Sequence, residues 1–164
     1  METADNPNIK LKLLTLSVYE GLRIFINVHD YIFRESFTFM SFVRDIFGKA
    51  VSLSVLCKEA ERLIPVWDAI GEDLKEFSSC NYPSLSQDEK EYFEVLSNFV
   101  NAVRKSIDAL VSRQRLMEKW SRSFFKNPIS WKVFKEKEKQ YIASIKEYQK
   151  IGLQLDDLNH IFIN

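Results

Sequence analysis

Phe93, Leu96, Val100, Val103, Ile107, Leu110, Gln114, Met117, Ser121 and Phe124 follow one another at steps of three and four. Sustained over residues 93–124, that spacing lays one side-chain stripe along a helix and describes the seam of a helical bundle. Ser86 and Glu89 stand just upstream as an S-x-x-E capping box, which satisfies two backbone donors at the helix start. A chain that commits so much of its length to one amphipathic helix must supply others to cover it.

Punctuation says how many. Gly and Pro number four each, too few for the turns of an all-β fold. Breaks fall at Gly48, at the run SSCNYPSLS over 78–86, and at Asn127-Pro128. They divide the chain into four predicted helices, roughly 8–47, 49–77, 87–126 and 129–160. With no linker, repeat or low-complexity tract between them, 1–164 reads as a single helical-bundle domain. The expected fold is all-α, an elongated antiparallel four-helix bundle. A 40-residue helix in it would be about 60 Å long.

The fourth helix carries a matching seam: Trp131, Phe134, Glu138, Tyr141, Ile145, Tyr148, Gly152, Leu155, Asn159 and Phe162. Asn127 is its expected cap, with Pro128 at the first helical position, where a missing N–H does no harm. Folding the third and fourth helices together at residue 127 sets Gln114 near Glu138 and Tyr141, a buried polar layer. The same fold sets Val103 near Gly152, a close helix approach. Polar seam residues of this kind, Ser121 and Asn159 included, fix register by hydrogen bonding in pairs or lie at the seam's solvent edge, in preference to lining a ligand cavity.

The second helix repeats the seam in Leu53, Leu56, Ala60, Leu63, Trp67, Ile70, Leu74 and Phe77, with Pro65 on the opposite face expected to kink or divide it. The first differs. Its polar residues, Glu20, Arg23, Asn27, Asp30, Arg34, Thr38, Ser41 and Asp45, form one narrow stripe, and apolar side chains fill most of the rest. Such a helix is central to its bundle or buried against another molecule. Because the second helix is shorter, residues 9–19 are expected to want a partner or a second copy, unless the helix breaks at Gly21 and folds back.

Catalysis needs matched groups within reach of one another, and few are present. His29 lies among apolar residues and reads as a core histidine. Asp157 and His160, in DLNH, sit one turn apart, but a bundle metal centre needs a second such pair and further carboxylates. Cys57, beside Leu56, reads as a buried structural thiol. Neither a phosphate loop nor a nucleophile elbow nor metal-type Cys/His spacing occurs. The expectation is a non-enzyme with no cofactor and no metal. Charges interrupt every apolar stretch, the start lacks a signal-peptide pattern, and two lone cysteines suit a reducing compartment, so a cytoplasmic location is expected.

Charge is segregated although it sums to zero. Residues 51–100 hold 4 cations and 10 anions, whereas 101–150 hold 13 cations and 5 anions. The densest basic stretch, KWSRSFFKNPISWKVFK over 119–135, interleaves its bases with aromatics. Lys132 and Lys135 stand in the first turns of the fourth helix, where the macrodipole disfavours cations. Arg115, Lys119, Trp120, Arg122, Phe125, Lys126, Trp131, Lys132 and Lys135 are the candidate binding residues of this tip. Three uses present themselves. The aromatics can plug the bundle end while lysines keep it soluble. The bases can pair with the acidic face of the second helix, Glu61, Asp68, Glu72 and Glu76. Or the tip can hold anionic head groups with its rings at interfacial depth. Nucleic acid is disfavoured, because no recognition motif accompanies the bases and the whole chain is neutral. The leading expectation is a helical-bundle interaction module that binds a protein partner or itself. The alternative is a peripheral module that engages anionic membrane through 115–135.

Overall fold

The computed structural model describes residues 6–36, 52–123 and 130–159, and every element among them is helical. In chain order these are α1 (Pro7–Ser36), α2 (Leu53–Glu61), α3 (Leu63–Cys80), a short 3-10 turn (Tyr82–Ser84), α4 (Gln87–Ser123) and α5 (Trp131–Leu158). With α2 and α3 counted as one divided arm, they form an antiparallel four-helix bundle. Contacts along the helices fix the directions. Asn8 at the start of α1 reaches Glu89 at the start of α4, and Phe33 near the end of α1 meets Arg113 near the end of α4. Tyr19 and Phe33 of α1 meet Asp156 and Tyr141 of α5, so α5 runs the opposite way.

The predicted seams are the core. Leu96, Val100, Val103, Ile107 and Leu110 of α4 are buried, with Leu56, Ala60, Leu63, Trp67, Ile70, Leu74 and Phe77 of the divided arm against them. The capping box closes as its residue types require. The Ser86 N–H donates to Glu89 Oε2 at 2.8 Å and the Glu89 N–H to Ser86 Oγ at 3.3 Å. Burial alone would raise the Glu89 carboxyl, but hydrogen bonds from Asn8 and Ser86, helped by nearby Lys12, hold it below the usual range.

Three boundaries differ from expectation. The second arm breaks at Arg62 rather than at Pro65. A proline lacks the N–H that would bond to the carbonyl four residues back, here Glu61, so the ladder is interrupted upstream of the ring. The Arg62 N–H still reaches Lys58 O at 3.0 Å, ending α2. Pro65 then lies in the first turn of α3, where its missing donor is harmless. The fourth helix begins at Trp131, capped by Ser130, whose Oγ accepts from the Lys132 N–H at 3.3 Å; Asn127 and Pro128 lie outside the described residues. And α1 does not break at Gly21. It runs unbroken from Pro7 to Ser36, and its predicted continuation to residue 47 lies outside the described residues.

Gly21 instead marks a close approach. A β-carbon there would stand 2.6 Å from Ile70 Cδ1 and 3.5 Å from Trp67 Cζ2 of α3. The inner face of residues 9–19 therefore has neighbours. Leu11, Leu14, Thr15 and Val18 are buried because α3 continues to Cys80 alongside α1. A second close approach falls at Gly152, where a β-carbon would meet Phe99 Cε2 at 3.2 Å. The residue facing Gly152 is thus Phe99, one turn away from the expected Val103.

Candidate functional site

The bundle holds a buried polar layer that joins α1, α4 and α5. Arg113 of α4 is 3% exposed. Its Nε donates to Glu138 Oε2 of α5 at 2.5 Å, and its Nη1 donates to Gln114 Oε1 at 2.8 Å and to Met117 Sδ at 3.2 Å. Phe33 of α1 lies 4.8 Å from the guanidinium carbon and Phe134 of α5 lies 5.5 Å from it. The cation is thus flanked by two rings and neutralised by one carboxylate, and those interactions offset the cost of taking it from water. Gln114 and Tyr141 are also buried, with Gln114 Nε2 and Tyr141 Oη lacking a partner. Burial drives the Tyr141 hydroxyl well above its ordinary range, so it is a neutral phenol here. Gln114, Glu138 and Tyr141 come together as a layer, and Arg113 is the member that sequence spacing missed.

Beside this layer the seam between α1 and α5 is held open by rings. The two backbones stay apart along most of their length, while Phe25 meets Tyr148 at 5.8 Å and Phe33 stacks on Tyr141 at 5.6 Å. His29 stacks on Phe33 at 4.5 Å and touches Asp30 Oδ1 at 3.1 Å. It is a half-buried edge residue rather than the expected core histidine. Further along, the gap opens into a groove of about 480 Å³ between Tyr19, Leu22 and Ile26 of α1 and Gln149, Gly152 and Leu153 of α5. Tyr19 is tied in turn to Asn159, which donates to Tyr19 Oη at 3.1 Å and accepts from Tyr92 Oη at 3.2 Å.

The outward face of α1 is apolar through its first turns. Ile9, Leu13 and Leu16 are 37%, 61% and 60% exposed, and Ile24 and Ile26 are exposed further along. Residues 9, 13, 16, 20 and 24 advance by three and four, so this stripe continues toward the N-terminus the polar stripe that begins at Glu20. The same helix that buries Leu11, Val18 and Phe25 on one side therefore offers a second apolar face to solvent.

The basic tip is only partly what the sequence implied. Arg115 does not project from the end, since its Nε donates to Glu61 Oε1 of α2 at 2.7 Å. Arg104 likewise bonds Asp68 of α3 at 2.7 Å and also Asp108. The segregated charges of the divided arm and α4 thus meet inside one molecule. Lys119, Lys132 and Lys135 are exposed and Trp120 is half-buried. The side chains of Arg122, Phe125, Lys126 and Trp131 lie outside the described residues, as does His160.

Cys57 and Cys80 are free thiols, the first buried and the second exposed. Burial first, then the Glu61 carboxylate, pushes the Cys57 thiol up to about 11. Maleimide at mildly alkaline pH is therefore expected to label Cys80 alone in the folded protein and both cysteines after denaturation, as read by mass spectrometry. Prompt native labelling of Cys57 would contradict its place in the core. Among the described residues no group of acidic, histidine and cysteine side chains is placed to hold a metal ion, and no helix is long and apolar enough to cross a membrane. No protein-family model, curated protein or solved structure matches the chain.

Proposed function

We propose that the chain is a non-enzymatic helical-bundle module that binds another polypeptide through the outer face of α1. The observation that carries this reading is the exposure of Ile9, Leu13 and Leu16 in one stripe on a helix whose opposite face is already packed. Scattered exposed leucines need no explanation, but an aligned set does. At about 25 cal/mol per Å² of apolar surface, covering such a row favours association. A reducing cytoplasmic setting fits the two free cysteines. The membrane alternative draws on the cations of 115–135, and the engagement of Arg115 by Glu61 weakens it.

Site-specific photocrosslinking in the native cell tests the binding role. A benzophenone side chain at position 13 is expected to trap a discrete second polypeptide, and one at the exposed Asp73 of α3 is not. Leu16→Lys should abolish the adduct without altering the thermal melt. An adduct the size of two 19.3 kDa chains identifies a second copy, and another size identifies a different protein. Equal trapping at both positions, or none at Leu13, overturns the proposal.

A further inference from the structure

The seam between α1 and α5 is bridged at two levels and open between them. Tyr19 Oη donates to Asp156 Oδ1 at 3.4 Å, and further along α1 the Phe25 ring meets Tyr148 edge-on at 5.8 Å. Tyr19 and Phe25 stand six residues apart, so the open stretch is about 9 Å long. The groove of about 480 Å³ lies there. Buried Phe99 and Leu155 form its floor, and exposed Ile26 and Leu153 stand at its rims. Such a volume, mostly apolar with a few polar groups, is that of a small-molecule site. A long helix laid along the seam would have to ride over both bridges.

The groove's charge is one-sided. Among the described residues that line it, Asp156 alone is charged. Tyr19 and Asn159 both donate to Asp156 Oδ1, at 3.4 and 3.3 Å, which orients the carboxylate and leaves Oδ2 to accept from a ligand. Arg23, the cation next to Leu22 in the chain, is paired with Glu20 on its own helix at 2.6 Å. At the other end, burial first and then the Asp30 carboxylate raise the Tyr148 hydroxyl, so the field there is negative as well.

We propose that this groove binds a small organic ammonium ion, with its flat apolar body on Phe99 and Leu155 and its ammonium group donating to Asp156 Oδ2. A carboxylate ligand would meet Asp156 as a like charge, and a neutral one would forgo the charge pair. The site goes beyond the binding role proposed for the outer face of α1, since none of Ile9, Leu13 and Leu16 lines it. Because Asp156 is exposed, the charge contributes selectivity more than strength, and salt weakens it.

Amide NMR titrations of the purified full chain, at neutral pH and low salt, test the site with three probes that share an indole body: tryptamine, tryptophol and indole-3-propionate. Tryptamine is expected to shift the Gly152 N–H and its neighbours along one saturating curve. Tryptophol, with a hydroxyl in place of the ammonium, should bind about fivefold more weakly, the effect of one exposed charge pair. Indole-3-propionate should bind more weakly still. Asp156→Asn keeps an Oδ1 acceptor for Tyr19 and Asn159 but loses the charge, so it should bring tryptamine down to the level of tryptophol. Asp157→Asn, outside the groove's lining, should leave tryptamine binding unchanged. Circular dichroism confirms that both variants keep their fold, since both positions are exposed.

The absence of a saturating shift at Gly152 with tryptamine overturns the proposal. So does tryptophol or indole-3-propionate binding as tightly as tryptamine, or tryptamine binding that Asp156→Asn leaves intact. Equal losses in Asp156→Asn and Asp157→Asn overturn it too, because they would report net charge rather than the groove.

Discussion

Arg113→Ala is expected to lower the unfolding free energy by about 3–5 kcal/mol, the range for removing one partner of a buried ion pair. The loss has several parts. Glu138 keeps its charge in a half-buried position without a counter-ion, Gln114 Oε1 loses its donor, and two rings lose the cation between them. Truncating the other partner should cost comparably. Removing both is different, because the desolvation of two charges disappears with their attraction. Arg113→Met combined with Glu138→Leu should regain most of the loss and can exceed wild type. Urea titrations on the two single variants and the double variant form a cycle whose coupling measures the pair. A loss under 1 kcal/mol for Arg113→Ala would show that the layer contributes little to stability.

Gly21→Leu is the second large effect, an expected loss of about 2–3 kcal/mol from overpacking. The first added carbon alone would stand 2.6 Å from Ile70 Cδ1, and the remainder must enter the space held by Trp67. Gly21→Ala should be nearly neutral. A helix-interior alanine gains about 1 kcal/mol over glycine, and that gain offsets the displacement of one terminal methyl on Ile70. Gly71 supplies the contrast, since an added β-carbon there meets nothing within 4 Å. Gly71→Ala should therefore stabilise the chain by about 0.5–1 kcal/mol. Denaturant midpoints for the three variants give the order directly, and a Gly21→Leu protein as stable as wild type would contradict the close approach of α1 and α3.

These sites were legible to different degrees, for physical reasons. The α4 seam could be read because its period of three and four is the period of the helix itself. Gln114, Glu138 and Tyr141 could be brought together because an antiparallel fold of two adjacent helices leaves little freedom in register. Arg113 could not, because it sits one residue off the stripe and its length, not its position, carries the guanidinium inward. Its one available signal was the placement of Gln114 beside it and Met117 one turn on. The break at Arg62 was displaced from Pro65 because a proline disrupts the bond to the fourth residue before it. At α5, Ser130 and Asn127 are both good caps, and composition does not choose between them. The outer face of α1 was visible in part. Its stripe is polar only from Glu20 onward, and the upstream positions of the same stripe, 9, 13 and 16, are isoleucine and leucine, so one line of residues changes character along the helix. The segregated charge is visible as a pattern in the sequence, but its internal use by Arg104 and Arg115 depends on side-chain reach across helices, which spacing does not encode.

The interruption at Arg62 has a mechanical side. The α2 segment lies chiefly along α4, while α3 is shared between α1 and α4, and no backbone bond from Pro65 ties one segment to the other. The arm therefore has two differently seated halves, joined at Arg62, whose backbone keeps helical dihedrals. Glu61 fastens α2 to Arg115 of α4, while Gly21 seats α1 closely against Ile70 and Trp67 of α3, so each half of the arm is anchored to a different neighbour.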